Sequence, residues 1–527
     1  MKFFSQTNSK KILYFIFLLL FSISINQYYG NIGVFPIDSF LFFDSGYRTL
    51  NGYFPFKDFW TTTGPLLDII QAIFFKIFGV SWFSYVLHAS AFNFLIASAT
   101  FYTLYKINLN INFSFLYAIF VSVIAYPIPG TPFPDHHSII FSFLGLFSFI
   151  LSLKTKSNFY WFLIPIFFVL AFLSKQTPAG YIGIIVVIAL CVYFIFNFSI
   201  KKILLLVSGF LSITTLSFLF FYLNKIPFLY FFEQYFLFPL TIGDARFSEF
   251  LFPLEFKRLI MRFKLIHLSQ LILLVLLIKK IINNLNFFKD KEFLILSTLV
   301  LTSYALISHQ LLTLNQKFIF FIIPILLGFS HVYYENYFIK KNYIIYLLVI
   351  FGVVSTMYYK ISYGDNRRFM ELANVDLNKS ISAETIDASL KNLKWINHSY
   401  SNKPNIEIEN LKKSIKFLKN DTSKKMIITH YQFIASLMPD NVSSPSKFYT
   451  RDGVSFPKKG DKNLKNYKNF FIKQIIDKRI EIIYTIKPLE KSVFSFFMKE
   501  DCFKTSKIND ILDSHLILNC DELRKKL

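Results

Sequence analysis

Apolar runs long enough to cross a bilayer alternate with short polar breaks over the first 360 residues. A helix needs about 20 apolar residues to span the hydrocarbon core. By that measure the pattern predicts spans near 12–29, 82–104, 112–126, 138–153, 159–173, 179–198, 203–223, 265–282, 293–310, 318–336 and 343–359. The expectation is therefore about eleven transmembrane helices, several of them close to the lower length limit. The first run begins with Lys2, Lys10 and Lys11, but residues 24–30 offer no small-residue cleavage site, so it reads as an uncleaved anchor. Residues 65–79 are apolar but short and follow Gly64-Pro65; they read as a helix lying at the interface, with a further span as the alternative.

After residue 360 the pattern changes. Charge becomes dense, and β-like runs at 426–429, 480–486 and 516–518 alternate with helical stretches at 406–419 and 465–478. The expected fold class is an all-α polytopic membrane domain over 1–360, with its first outer loop at 30–81. A small soluble α/β domain follows over 361–527, on the extracytoplasmic side because eleven is odd.

Composition supports the membrane reading: 54% of the 527 residues are hydrophobic and Phe alone occurs 69 times. The net charge of +24 would suit nucleic acid, yet its distribution argues otherwise. From residue 361 onward there are 30 Lys and Arg against 20 Asp and Glu, and most of the remainder flanks the spans. With the N-terminus cytoplasmic, the inner span ends carry fourteen basic and three acidic residues, and the outer ends twelve and nine. That is the positive-inside bias of a multi-pass inner-membrane protein. Every Arg before residue 361 (Arg48, Arg246, Arg258, Arg262) falls on the outer side. Arg offers a planar fork for phosphate or carboxylate where Lys suffices to anchor a loop. The basic run 257–264 reads as a contact with anionic membrane lipids. Of three cysteines, Cys502 and Cys520 share the C-terminal region; a bridge and two free thiols are equally open.

The outer segments carry the chemistry. The first loop reads Phe42-Phe-Asp44-Ser45-Gly-Tyr47-Arg48, with Gly52 and Pro55 as turn signals, Asp58, and then Gly64-Pro65. The second reads Tyr126-Pro-Ile-Pro-Gly-Thr-Pro-Phe-Pro-Asp135-His136-His137. Later come Phe172-Leu-Ser-Lys175-Gln-Thr and Ser308-His-Gln followed by Lys317-Phe-Ile-Phe-Phe-Ile-Ile-Pro324, with Phe231-Phe-Glu233-Gln and Arg246-Phe between them. In this order the segments resemble those of GT-C glycosyltransferases that use polyprenyl-phosphate sugars, glycosyltransferase family 39 in particular. The likeness covers roughly residues 12–335. It implies Asp44 as a catalytic acid after the first span and Asp135 as the acid of the second loop. It also implies Lys175 as a contact of the carrier phosphate. In that family a Glu usually follows the first acid, and here Ser45 takes its place.

The residues support that chemistry in their own right. Sugar transfer from a lipid phosphate needs a carboxylate to receive the acceptor proton. It also needs cations to meet the charge growing on the departing phosphate. Asp44 and Asp135 would serve as the acids, and Lys175, Lys317 and Arg246 as the phosphate clamp. Tyr47, Arg48, Asp58, His136 and Glu233 would support them. Each has a plainer alternative. Asp44 would cap a short helix beginning at Ser45, and Asp135 the span starting near His136. Lys175 would snorkel to the headgroups, and Glu233 would form a salt bridge. No cofactor signature stands out. A divalent metal held by His136, His137 and the acids is the one alternative. The expected partners are a polyprenyl-phosphate sugar donor and a glycan, lipid or protein acceptor on the extracytoplasmic face. Two rival readings are a polymerase or ligase of undecaprenyl-diphosphate-linked glycans and a lipid-linked sugar transporter. The transporter would show repeated halves with broken helices, which the sequence lacks.

Overall fold

The computed structural model describes residues 2–249, 256–283, 286–313, 318–338, 342–438, 442, 444–447, 449, 454–457, 459–489, 498–520 and 523. Among these, seven helices are long and apolar enough to cross a membrane: Ser9–Gly30, Pro134–Lys154, Gln176–Phe196, Ile200–Leu223, Lys291–Thr313, Ile319–Tyr337 and Asn342–Met370. An eighth is the pair Met261–Ser269 and Leu271–Asn283, bent by 66°. The chain is thus a mostly helical multi-pass membrane protein. Ile200–Leu223 makes the physical case, because its most apolar window is only 6% buried. Leu204, Phe210 and Leu216 on that helix are all exposed, a surface that lipid accepts and water does not.

The other three expected spans are helices with less of a membrane signature. Ile111–Ile124 and Phe159–Ser174 are apolar but shorter. Trp82–Lys106 has 25 residues, yet it turns His88, Ser90, Asn93, Thr100 and Thr103 inward, and these lower its hydropathy. The segment 65–79 forms the 13-residue helix Leu66–Phe78.

Contacts between Cα atoms divide the chain into two compact units. The first comprises Met1–Gly30, Val86–Phe218 and Glu249–Phe369. Its middle is Pro134–Lys154, the most enclosed of the candidate spans, whose apolar window is wholly buried. That helix packs on Phe159–Ser174 and Gln176–Phe196. Polar ties hold neighbouring helices where no water competes. Ser22 Oγ lies 2.8 Å from Ser122 Oγ, and Asn93 Nδ2 donates to Ser122 O at 2.9 Å. At Gly209 a Cβ would fall 2.2 Å from Phe162 O, so glycine is what lets these two helices approach.

The second unit comprises Asn31–Tyr85, Leu219–Ser248 and Met370–Leu527. The C-terminal region thus does not stand by itself; it packs with the first loop and with 219–248. Its four-stranded sheet runs in the spatial order Lys425–Thr429, Ile482–Ile486, Leu512–Ile517, Phe503–Lys507. The first two strands are parallel, with Ile427 opposite Tyr484, and such a pair needs a crossover that the helix Leu464–Asp477 provides. The remaining pairs are antiparallel. Helix Pro404–Asn420 precedes the sheet. The three expected strands and two expected helices fall within a few residues of their expected positions, Phe503–Lys507 is a further strand that was not expected, and Cys502 is bridged to Cys520. The apolar core of this unit joins Met426, Ile428, Phe471 and Ile483 to Trp60 of the first loop.

Candidate active site

The expected residues fall into two groups, one in each unit. In the second unit the helix Leu41–Leu50 carries Asp44 in its first turn. The helix starts four residues earlier than Ser45, with Phe40 as its N-cap, so Asp44 does not cap it. Residues four apart share a helix face, and Asp44 Oδ2 pairs with Arg48 Nη2 at 2.8 Å. Asp44 is 2% exposed, and its Oδ1 is buried with no hydrogen-bond partner. Burial pushes the Asp44 carboxyl above the usual carboxylate range, while the Arg48 guanidinium pulls the other way.

Around this pair lies a polar network that the motifs only partly disclosed. Gly46 lets helix Leu66–Phe78 come close, since a Cβ there would meet the Gln71 side chain at 2.4 Å. That approach brings Asp68 Oδ1 to 2.5 Å from Ser45 Oγ. A second carboxylate near Asp44 therefore comes from the next helix, where Asp68 sits in the first turn. Lys447 Nζ pairs with the same Asp68 oxygen at 2.5 Å, both side chains being wholly buried. It also sits 3.7 Å from the centre of the Phe42 ring. The C-terminal strap reaches this point through backbone pairing: Trp60 N donates to Pro445 O at 2.9 Å and Lys447 N to Trp60 O at 3.0 Å. Arg48 Nη1 donates to Ser444 O at 2.6 Å.

Tyr47, Arg48 and Asp58 line a small pocket with Tyr53 and Lys478. Asp58 orders the loop, accepting from Phe54 N at 2.8 Å. Burial, with Arg48 close by, lowers Lys478 to about 8. Glu233 is partly exposed and lines a separate cleft of the same unit. Burial raises its carboxyl.

In the first unit the structure joins Asp135 to Lys175, 40 residues apart. Pro134 opens the helix Pro134–Lys154, two residues before the expected start near His136, and Phe133 is its N-cap, so Asp135 sits in the first turn and does not cap it. Lys175 lies at the break between Phe159–Ser174 and Gln176–Phe196, with extended backbone angles. Thr177, which precedes Pro178, is also non-helical, as steric conflict with a following proline dictates. Lys175 Nζ pairs with Asp135 Oδ2 at 2.7 Å, and His309 Nε2 lies 3.1 Å from Asp135 Oδ1. Lys175 is committed to a carboxylate rather than snorkelling alone.

The histidines next to Asp135 are engaged elsewhere. His136 Nε2 lies 3.2 Å from Ala125 O. His137 Nε2 lies 2.8 Å from His88 Nε2, and its Nδ1 meets the Tyr126 hydroxyl. Among the described residues no group of three or more His, Cys, Asp or Glu side chains could hold a metal ion. The alternative of a metal held by His136, His137 and the acids has no such cluster among the described residues, since His136 Nε2 and both ring nitrogens of His137 face other protein groups. Lys317 and the side chain of Arg246 lie outside the described residues.

Sequence reasoning passed over Asp68, Lys447 and His309. His309 had a signal in the Ser308-His-Gln segment at a span end. Asp68 and Lys447 carry no motif in the sequence.

No protein-family model matches the chain, and no curated protein matches it. Among solved structures it is similar to the crystal structure of ArnT from Cupriavidus metallidurans bound to undecaprenyl phosphate. The TM-score is 0.42 at 11% sequence identity, covering 96% of this chain and 97% of that one. The functional reading therefore rests on the chain's own residues.

Proposed function

We propose that the protein is an inverting membrane glycosyltransferase of the GT-C type. It moves a sugar from a polyprenyl-phosphate carrier to a hydroxyl acceptor at the extracytoplasmic face. One observation carries the reading: Asp44 is a buried carboxylate with one oxygen held by Arg48 and the other without a partner. A buried acceptor left unsatisfied is costly, and a hydroxyl donating to Oδ1 would satisfy it. The same hydroxyl oxygen could then attack the anomeric carbon while Asp44 receives its proton. Arg48 fixes the carboxylate's orientation. The four outer segments in family order support the assignment.

On this reading Lys175, with Lys317 and Arg246, meets the phosphate charge that grows as the sugar leaves. Asp135 and His309 position Lys175. The full arrangement has eleven spans with the N-terminus cytoplasmic, and the outer side holds the reacting groups. Purified protein in lipid nanodiscs, given a polyprenyl-monophosphate sugar, should transfer it. Asp44→Asn keeps the shape and removes the base, so transfer should fall by about 10²–10⁴ with donor binding unchanged. Full transfer by Asp44→Asn, or turnover of diphosphate-linked donor only, would overturn the assignment.

A further inference from the structure

The second unit contains a cleft of about 510 Å³ that the proposed chemistry does not use. One wall is the segment around Tyr230 and Glu233. The other is one face of the helix Leu464–Asp477. Asn466, Asn469, Lys473 and Asp477 recur there at intervals of three and four and so align along the cleft. Trp60 and Phe470 lie deeper, with ring centres 5.9 Å apart. Gln234 locks the wall rather than serving a ligand: its Oε1 accepts from Thr61 N at 3.1 Å and its Nε2 donates to Phe56 O at 2.8 Å.

A second, independent observation points to an occupant. Trp60 lines the cleft, is 2% exposed, and its Nε1 is buried with no hydrogen-bond partner. An indole N–H is a donor only. A ligand oxygen that reached this N–H would supply the missing acceptor.

The lining chemistry selects the class of ligand. Glu233 and Asp477 outnumber Lys473, which disfavours a polyanion such as nucleic acid. An amphipathic peptide helix needs an apolar stripe, and the exposed positions here are Asn, Asn, Lys and Asp. Aromatic rings beside amides and carboxylates suit sugar rings, which have apolar faces and a rim of hydroxyls that donate and accept. The volume lies within the range of small-ligand sites, about 300–1,000 Å³. We propose that this cleft binds a neutral, hydroxyl-rich oligosaccharide, the acceptor glycan of the transfer reaction.

The acceptor role rests on the transferase reading, whereas binding can be measured without it. The full chain, in a detergent without a sugar headgroup, would be titrated with maltohexaose, chitohexaose and mannohexaose. The readout is tryptophan fluorescence, with calorimetry as a check. At least one should saturate, with Tyr230→Ala weakening binding about tenfold and the near-isosteric Glu233→Gln about threefold, roughly 1.4 and 0.7 kcal/mol. If none saturates below about 10 mM, or if both variants bind as the parent does, the cleft is not a glycan site. The same holds if an amphipathic peptide binds there instead. Saturable binding in a protein that transfers no sugar would keep the cleft and overturn the transferase reading. Transfer to a non-glycan acceptor with no oligosaccharide bound would do the reverse.

Discussion

Lys447→Met tests the buried network around Asp44. Lys447 and Asp68 pair at 2.5 Å with neither side chain exposed. The same Asp68 oxygen accepts from Ser45, while Asp68 Oδ2 has no partner, so little else compensates the carboxylate. Removing the cation should leave a buried charge unpaired, at a cost of about 3–5 kcal/mol. For a unit of this size each kcal/mol shifts the thermal midpoint by about 2–4 °C, so the expected drop is roughly 6–20 °C. Asp68→Leu should cost a comparable amount. The double variant Lys447→Met, Asp68→Leu should cost less than either single change, because it removes both charges. The assay is thermal unfolding of the purified protein at fixed detergent and protein concentration. Activity offers a second readout. The Lys447 charge lowers the Asp44 pKa, opposing burial. Without it the acid limb of the pH–rate profile should move to higher pH. A loss under about 1 kcal/mol for Lys447→Met, with additive costs in the double variant, would refute the idea that this pair is a mutually dependent unit.

Other outcomes follow from the same geometry. Because burial raises the Asp44 carboxyl, the proposed transfer by the parent protein should fall off in acid at a higher pH than an ordinary carboxylate would set; a limb at or below about pH 4 would count against Asp44 as the base. Lys478 is depressed from 10.5 to about 8, mainly by burial. Between those pH values the unfolded chain holds the proton and the folded chain does not, so this lysine makes stability rise with pH across the window. Unfolding of Lys478→Met measured at pH 7, 8, 9 and 10 should lack that component, and identical slopes in parent and variant would sink it. The bridge from Cys502 to Cys520 closes a loop with a sequence separation of 18. Replacing both by Ser should cost about 3 kcal/mol by loop-closure entropy, checked by unfolding with and without reductant.

Local signals carried much of the secondary structure. Leu464–Asp477 and Pro404–Asn420 were legible from spacing, because an amphipathic period survives in any single sequence. Most spans were legible from the length of their apolar runs. Helices such as Trp82–Lys106 were harder to classify, because polar residues facing other helices dilute the hydropathy that marks a span. The acids at positions 44 and 135 and the lysine at 175 stood out because ionisable groups beside apolar runs are rare and costly.

What the sequence determined by itself was therefore local: apolar runs that must meet lipid, helix and strand periods, and candidate charges near span ends. What only the tertiary structure decided was which charges meet. Asp135 finds Lys175 and His309, and Asp68 takes Lys447 from nearly 380 residues away. The C-terminal region packs with the first loop through Trp60 and its backbone partners rather than standing alone. Such pairings depend on how helices and strands pack at long range, and no periodicity encodes them. A buried ion pair is stable only when both partners arrive together, and the fold alone brings them there.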